Sequence, residues 1–99
     1  MDGREAFSAA GRFYRGNIHT HSARSDGALS PGDVCGLYSA MGYDFLCLSD
    51  HFLAAFDFPI TDTNEFRGDG FTTILGAEIH APQNSQSEIW HVLACGLPA

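Results

Sequence analysis

The pattern of apolar and polar positions along the chain predicts short strands that alternate with one helix. Residues 15–21 have strand character and give way to a polar loop over 22–29, rich in the Ser, Asp and Gly that favour turns. Residues 45–48 form a continuous apolar run, which is typical of a central strand buried on both faces. Residues 71–79 and 89–95 have the composition of two further strands. This alternation predicts the α/β class, with a β-α-β unit at the start.

The helix of that unit is predicted to begin after Ser30. Ser30 is a preferred N-cap, Pro31 suits the first helical position, and Asp33 completes a Ser-x-x-Asp box. Apolar side chains then recur at helical spacing and predict the buried face, namely Val34, Leu37, Tyr38 and Met41. Gly42 is expected to end the helix.

The second half of the chain is less regular. Residues 52–56 predict a short helical or irregular turn, and residues 57–70 carry too many turn formers for an element to be assigned. Residues 81–88 contain a cluster of Pro, Gln, Asn and Ser that predicts a reversing loop. The last strand would then return antiparallel and place His91 beside Glu78 or Ile79.

Composition narrows the class of protein. The 99 residues are 44% hydrophobic, which predicts one globular core and excludes a collagen-like or disordered chain. The net charge of −7, with five scattered arginines and no lysine, argues against a nucleic-acid backbone or a polybasic membrane surface as partner. The longest apolar stretch has five residues and the N-terminus lacks a signal-type region, so a cytoplasmic protein is expected. Cys35, Cys47 and Cys95 are odd in number and widely spaced, which predicts reduced, buried thiols.

Ionisable residues fall at or just beyond the ends of the first three predicted strands. They are His19, His21, Asp26, Asp50, His51 and Glu78. His19 and His21 are two apart on a strand, so both side chains point to one face and can reach a common centre. Because ligands bind beyond the carboxyl ends of parallel strands, all six residues are candidates for one site.

Each of these residues also has a structural alternative. His19 and His21 could be strand histidines satisfied by backbone carbonyls, and Asp26 before Gly could be a turn residue. Asp50 could cap a helix, and Glu78 could be an exposed residue at a strand end. The coincidence of all of them at three successive strand ends favours a common site.

The predicted hairpin adds two histidines to these candidates. His91 would reach Glu78, and His80 shares a face with Glu78, although His80 could also be an ordinary hairpin side chain. Imidazoles and carboxylates without thiolates suit Zn²⁺, Mn²⁺ or iron and are too rich in nitrogen for Mg²⁺ or Ca²⁺. Glu78 can bridge two ions, and a multinuclear centre lowers the pKa of a bound water and clamps phosphoryl oxygens. The site therefore predicts hydrolysis of a phosphoester.

Six segments resemble the PHP family, the polymerase and histidinol phosphatase superfamily, over residues 16–98. They are NIHTH at 17–21, SDG at 25–27, YDFL at 43–46, LSDH at 48–51, GAEI at 76–79 and WHVL at 90–93. The resemblance implies a distorted, TIM-like seven-stranded α/β barrel with a trinuclear metal centre that hydrolyses phosphoesters through a metal-bound hydroxide. By position it implies that the metal ligands are His19, His21, Asp26, His51, Glu78 and His91, with Glu78 bridging.

Two further residues are expected to take part in catalysis beside these ligands. Asp50 precedes His51 in the family pattern and could hold an imidazole in the correct tautomer. Arg24 lies in the predicted metal-site loop and could contact phosphate, or could be a solvated loop cation. On this interpretation residues 1–14 are an N-terminal extension and residues 15–99 are the N-terminal half of a PHP domain.

The chain departs from the family pattern because a later His and an Asp-x-His pair are not found before Ala99. We therefore expect an incomplete barrel that associates with its C-terminal half, with a second copy or with another polypeptide, since unpaired strand edges favour association. The leading hypothesis is a phosphoesterase acting on a small phosphorylated metabolite or nucleotide. The alternatives are a non-catalytic metal-binding or interaction module and a PHP-type nuclease, against which the acidic charge counts.

Overall fold

The computed structural model describes residues 11–81 and 90–98 and has a mixed α/β architecture. Its elements are β1 (Gly16–Thr20), helix α1 (Pro31–Ala40), β2 (Phe45–Leu48), β3 (Thr72–Ala81) and β4 (Trp90–Cys95). The four strands form one sheet in the order β1-β2-β3-β4, in which the first three are parallel. The predicted β-α-β unit is confirmed.

The sheet is curled, so that its two edge strands approach each other across one face. The Cys95 Sγ atom on β4 lies 3.9 Å from the carbonyl oxygen of Ile18 on β1. β4 runs antiparallel to β3, which confirms the predicted return of the chain. The predicted reversing loop lies outside the described residues from position 82 onward. The arrangement is that of a four-stranded partial barrel, with the carboxyl ends of β1, β2 and β3 along one rim.

Helix α1 begins and ends as the sequence predicts. The Ser30 hydroxyl accepts a hydrogen bond from the backbone N–H of Asp33 at 3.2 Å, and Pro31 occupies the first turn. The helix ends at Ala40, and Gly42 then takes a positive φ of 84°, which glycine adopts without steric cost.

The buried face of α1 differs from the prediction. Val34 and Cys35 are buried, whereas Leu37 and Met41 are 49% and 46% exposed. The reason is that α1 packs mainly on β2 and on a short 3-10 helix, Asn64–Phe66, so only a narrow stripe of its surface is covered. The spacing of apolar residues indicated a wider contact than one strand provides.

The core lies between α1 and the sheet. Its buried residues are Val34, Cys35, Leu46, Leu48 and Phe71. Between Leu46 and Leu48 on β2, Cys47 points to the opposite face of the sheet, where a side chain on Gly76 of β3 would collide with its sulfur. Glycine at position 76 therefore lets the Cys47 side chain pack directly over β3.

Two of the three predicted buried thiols are found. Cys35 and Cys47 are buried, but Cys95 is exposed because it lies on an edge strand. Burial, together with the neighbouring Cys95 thiol, raises the pKa of Cys47 to about 12. Cys47 is therefore a neutral thiol at neutral pH in the metal-free protein.

The segment between β2 and β3 contains two single-turn 3-10 helices. Ala54–Phe56 matches the short turn predicted over 52–56, and Asn64–Phe66 lies in the segment for which no element was assigned. Within the described ranges, none of the helices has the length and apolar character needed to cross a membrane.

Candidate metal centre

β1 contains a β-bulge that determines which face carries its histidines. Asn17 and Thr20, three positions apart, pair with Leu46 and Leu48, which are only two positions apart. β1 therefore has one extra residue relative to β2. The bulge reverses the alternation of faces, and His19 lies within it.

The effect of the bulge is to direct His19 and His21 away from α1. Before the bulge, Asn17 faces the helix and its side-chain amide donates to the Tyr38 hydroxyl at 2.9 Å. In a regular strand His19 and His21 would share that face. Instead, their Nε2 atoms lie 3.4 and 2.8 Å from Oε2 of Glu78 on β3.

Glu78 lies at the centre of the cluster, with its side chain only 4% exposed. Besides the two β1 histidines, the Nδ1 atom of His51 lies 3.2 Å from Oε2, and the Nδ1 atom of His91 lies 3.0 Å from Oε1. Desolvation raises the pKa of Glu78, but the hydrogen bond with His91 and the charges of His51 and His19 outweigh it and leave the pKa lowered. Glu78 is therefore an ionised carboxylate surrounded by imidazoles.

Asp26 contacts two of these imidazoles from the loop after β1. Its Oδ1 atom lies 2.8 Å from Nδ1 of His21, and its Oδ2 atom lies 3.1 Å from Nε2 of His51. Desolvation raises the pKa of Asp26, but the hydrogen bond and charge of His21, followed by those of His51, lower it overall. One carboxylate thus fixes the orientation of two rings.

The β3–β4 hairpin brings two more histidines to the cluster. His80 lies directly opposite His91 in the register, with ring centroids 4.3 Å apart. The sequence predicted His91 beside Glu78 or Ile79, so the strand register differs from the prediction by one or two residues. The predicted contact between the side chains of His91 and Glu78 is nevertheless present. The Nε2 atom of His80 lies 2.7 Å from Nδ1 of His51. All five histidines of the chain therefore meet at this site.

Asp50 is buried and contacts the loop after β1. Its Oδ1 atom accepts hydrogen bonds from the Ser22 backbone N–H and the Ser25 hydroxyl, both at 2.6 Å, and its Oδ2 atom accepts one from the Ser22 hydroxyl at 2.7 Å. These partners differ from the imidazole that the sequence pattern indicated. Asp50 thereby holds the loop that presents Asp26. No role was predicted for Ser22 and Ser25. Their position in the same loop as Asp26 was the signal that could have identified them as supports of that loop.

Arg24 lies in the same loop and is exposed. Its guanidinium donates to the Thr61 hydroxyl at 2.9 Å and so links the loop to the segment between β2 and β3. Contact of Arg24 with a phosphate stays a prediction.

The donor atoms of the cluster fit a bound cation. The Nε2 atom of His21 and the Oε2 atom of Glu78 are buried and 2.8 Å apart, yet the geometry between them is not that of a hydrogen bond. Within the described part of the chain neither atom has a hydrogen-bond partner, although nitrogens of His19 and His51 also lie within 3.4 Å of Oε2. Buried polar atoms are normally paired, and a metal ion would satisfy both of these. Three groups of side chains have ligand atoms close enough to hold an ion, namely His19–His21–Glu78, His21–Asp26–His51 and His51–Glu78–His80. Such nitrogen-rich sets suit Zn²⁺, Mn²⁺ or iron.

Together the fold and the site define a mixed α/β protein with a histidine and carboxylate cluster that could hold metal ions at one rim of a curled sheet. Comparison of the chain with models of known protein families, with curated proteins and with solved structures gives no match. The function must therefore be argued from the chemistry of the cluster itself.

The metal-free protein is expected to lose stability as the pH falls. Desolvation, followed by the charges of His91 and His51, lowers the pKa of His80 below its usual 6.5, so below that pH the unfolded chain binds a proton more readily than the folded one. The lowered pKa values of Glu78 and Asp26, against usual values of 4.5 and 3.8, remove further stability as those carboxylates are protonated. Urea midpoints measured between about pH 7.5 and 4 in the presence of a chelator should fall steadily. A midpoint that stays level or rises on acidification would contradict this.

Proposed function

We propose that this chain is a metal-dependent phosphoester hydrolase of the PHP type, with the histidine and carboxylate cluster as its metal centre. The observation that supports the proposal is the meeting of all five histidines around one buried carboxylate, Glu78, at the rim of the curled sheet. In α/β barrels this rim, at the carboxyl ends of the parallel strands, is where catalytic groups lie. The curled sheet would then belong to the distorted seven-stranded barrel that the sequence resemblance implies.

The imidazoles and Glu78 would hold the ions. When bound, divalent ions supply a water of lowered pKa and neutralise the oxygens of a phosphoryl group. The chain itself contributes imidazole nitrogens, an ionised carboxylate shielded from water, and the Asp26 contacts that orient His21 and His51. Asp50 keeps the Asp26 loop in place, and Arg24 is the cation of this loop that could meet a phosphate. The proposed substrate is a small phosphorylated metabolite or a nucleotide.

The test is metal-dependent release of inorganic phosphate. The purified chain, loaded separately with Zn²⁺, Mn²⁺ or Fe²⁺, would be assayed with an aryl phosphate, a panel of sugar phosphates and nucleotides, and a DNA oligonucleotide. We expect turnover of a phosphomonoester that a chelator abolishes and that His19→Ala reduces by roughly 100-fold or more, since direct ligands matter more than their supporting groups, which contribute about 10–100-fold. Asp69→Asn, an exposed turn substitution, is the control and should retain full activity.

Two results would overturn this proposal. Stoichiometric metal binding without turnover of any compound would indicate the non-catalytic metal-binding module. Cleavage of the oligonucleotide without release of phosphate from small substrates would indicate a nuclease.

A further inference from the structure

The face of the sheet opposite α1 carries two of the three cysteines. Cys47 on β2 points to this face, where a side chain on Gly76 of β3 would collide with its sulfur. Cys95 on β4 is paired directly with Gly76 in the antiparallel register. Residues directly opposite each other in an antiparallel pair project to the same face, so the Cys95 side chain lies on the face that Cys47 occupies.

Gly76 is the point at which these two cysteines approach each other. A side chain added at Gly76 would meet the Cys47 sulfur and would also lie 3.7 Å from Cα of Cys95, so both cysteines border the same space. In a flat sheet β2 and β4, which flank β3, would be roughly 9–10 Å apart, beyond the reach of a disulfide. The curl of the sheet and the missing side chain on Gly76 let the Cys47 sulfur extend over β3 towards Cys95.

The two thiols differ in their access to solvent. Cys47 is 0% exposed, whereas Cys95 is exposed on the edge strand β4. The Cys95 thiol is close enough to affect Cys47, because its hydrogen bond and charge add to the effect of burial in raising the pKa of Cys47 to about 12. An oxidant in solution therefore reaches Cys95 before it reaches Cys47.

We propose that Cys47 and Cys95 form a redox pair, in which hydrogen peroxide oxidises Cys95 and Cys47 then closes an intramolecular disulfide across β3. The disulfide would join β2 to β4 and so fix the curl of the sheet covalently. This inference is independent of the metal centre and of the proposed function. It adds a modification site to two residues that the sequence predicted only as reduced, buried thiols.

The proposed reaction has two steps. In the first, the Cys95 sulfur attacks one oxygen of the peroxide, the O–O bond breaks, and the products are a sulfenic acid on Cys95 and water. In the second, the Cys47 sulfur loses its proton and bonds to the Cys95 sulfur, and the hydroxyl group leaves with that proton as water. Two thiols and one peroxide are thereby converted to one disulfide and two waters.

Cys35 provides a control within the same molecule. It is as deeply buried as Cys47, but it lies on α1 and belongs to the core between the helix and the sheet, on the other face from Cys95. If burial alone decided which thiol reacts, Cys35 and Cys47 would behave alike. The proposal instead expects Cys47 to be consumed and Cys35 to remain reduced in the folded protein.

The experiment is a thiol count and a peptide map of the folded wild-type chain, treated with a small excess of hydrogen peroxide in the presence of a chelator. We expect the count to fall from three thiols to one, and the mass to fall by two hydrogen atoms. After the free thiols are alkylated, cleavage before aspartates separates the three cysteines into peptides 33–43, 44–49 and 69–99. The last two peptides should be linked, and dithiothreitol should release them.

Two variants test the order of the steps, with circular dichroism as the check on folding. Cys47→Ala should leave Cys95 as a sulfenic acid that dimedone traps, whereas Cys95→Ala should keep both remaining thiols reduced. The wild-type map decides the matter even if a variant does not fold. Retention of three thiols would overturn the proposal. A link that involves Cys35, dimers joined only through Cys95, or a sulfinic acid on Cys95 beside an unreacted Cys47 would also overturn it.

Discussion

Glu78→Gln is expected to abolish metal binding by the histidine and carboxylate cluster. The Glu78 side chain is 4% exposed, and its Oε2 atom lies within 3.4 Å of nitrogens of His19, His21 and His51. The amide removes the charge, and its NH₂ group would face lone pairs that otherwise bind an ion. Zn²⁺ affinity, measured by competition with a chromophoric chelator, should fall by well over roughly 100-fold, beyond the 10–100-fold effect of supporting groups.

The matched control for this change is Glu65→Gln, at an exposed position in the Asn64–Phe66 turn. It should leave both the affinity and the number of bound ions unchanged. The pattern across variants matters more than any single value, because His19→Ala removes one donor nitrogen whereas Glu78→Gln changes the carboxylate that several imidazoles share. A Glu78→Gln protein that binds Zn²⁺ as tightly as the wild type would contradict this prediction.

Asp50→Ala is expected to produce a larger loss of stability than removal of any of the exposed carboxylates. The buried carboxylate accepts three hydrogen bonds from Ser22 and Ser25 at 2.6–2.7 Å. A hydrogen bond to a charged group contributes about 1.5–3 kcal/mol, and truncation also leaves buried donors unsatisfied. We expect the free energy of unfolding of the metal-free protein to fall by roughly 3 kcal/mol or more, a large fraction of the 5–15 kcal/mol typical of folded domains.

Urea unfolding of the metal-free chain measures this loss, with Asp69→Ala as the control for removing an exposed acidic side chain. Metal affinity provides a second measurement, since the loop that Asp50 holds also carries Asp26, which orients His21 and His51. Equal urea midpoints for the Asp50 and Asp69 variants would mean that the loop is held by other contacts.

The sequence predicted the features that depend on local chemistry and on the alternation of side chains. Residue preferences alone predict three of them, without knowledge of the rest of the fold. They are the helix cap at Ser30, the stop at Gly42 and the buried strand over 45–48. The meeting of the first two strand histidines with Asp26, His51 and Glu78 was predicted because parallel strands end at one rim, although the bulge that turns the two histidines to that face was not. Both kinds of feature can be predicted from residue order alone.

Features that depend on distant partners could not be predicted in the same way. Leu37 and Met41 fit a helical apolar stripe, but their exposure is set by how much of α1 the sheet covers. The partner of Asp50 could not be read from the sequence either, because a carboxylate after a strand can contact an imidazole or a serine loop with the same residues around it. The contacts of His80 were not predicted for a related reason. The register of β3 and β4 places it opposite His91, and the packing of the fold brings it to His51.

The bulge in β1 has a consequence for how such motifs are compared between proteins. The direction of His19 and His21 depends on the number of residues between Asn17 and the pair as much as on the histidines themselves. Two chains with the same His-x-His motif but a one-residue insertion or deletion before it would direct their imidazoles to opposite faces of the sheet. One would supply ligands at the rim, and the other would bury two histidines under a helix. The number of residues between Asn17 and the two histidines must therefore be compared together with the His-x-His motif itself.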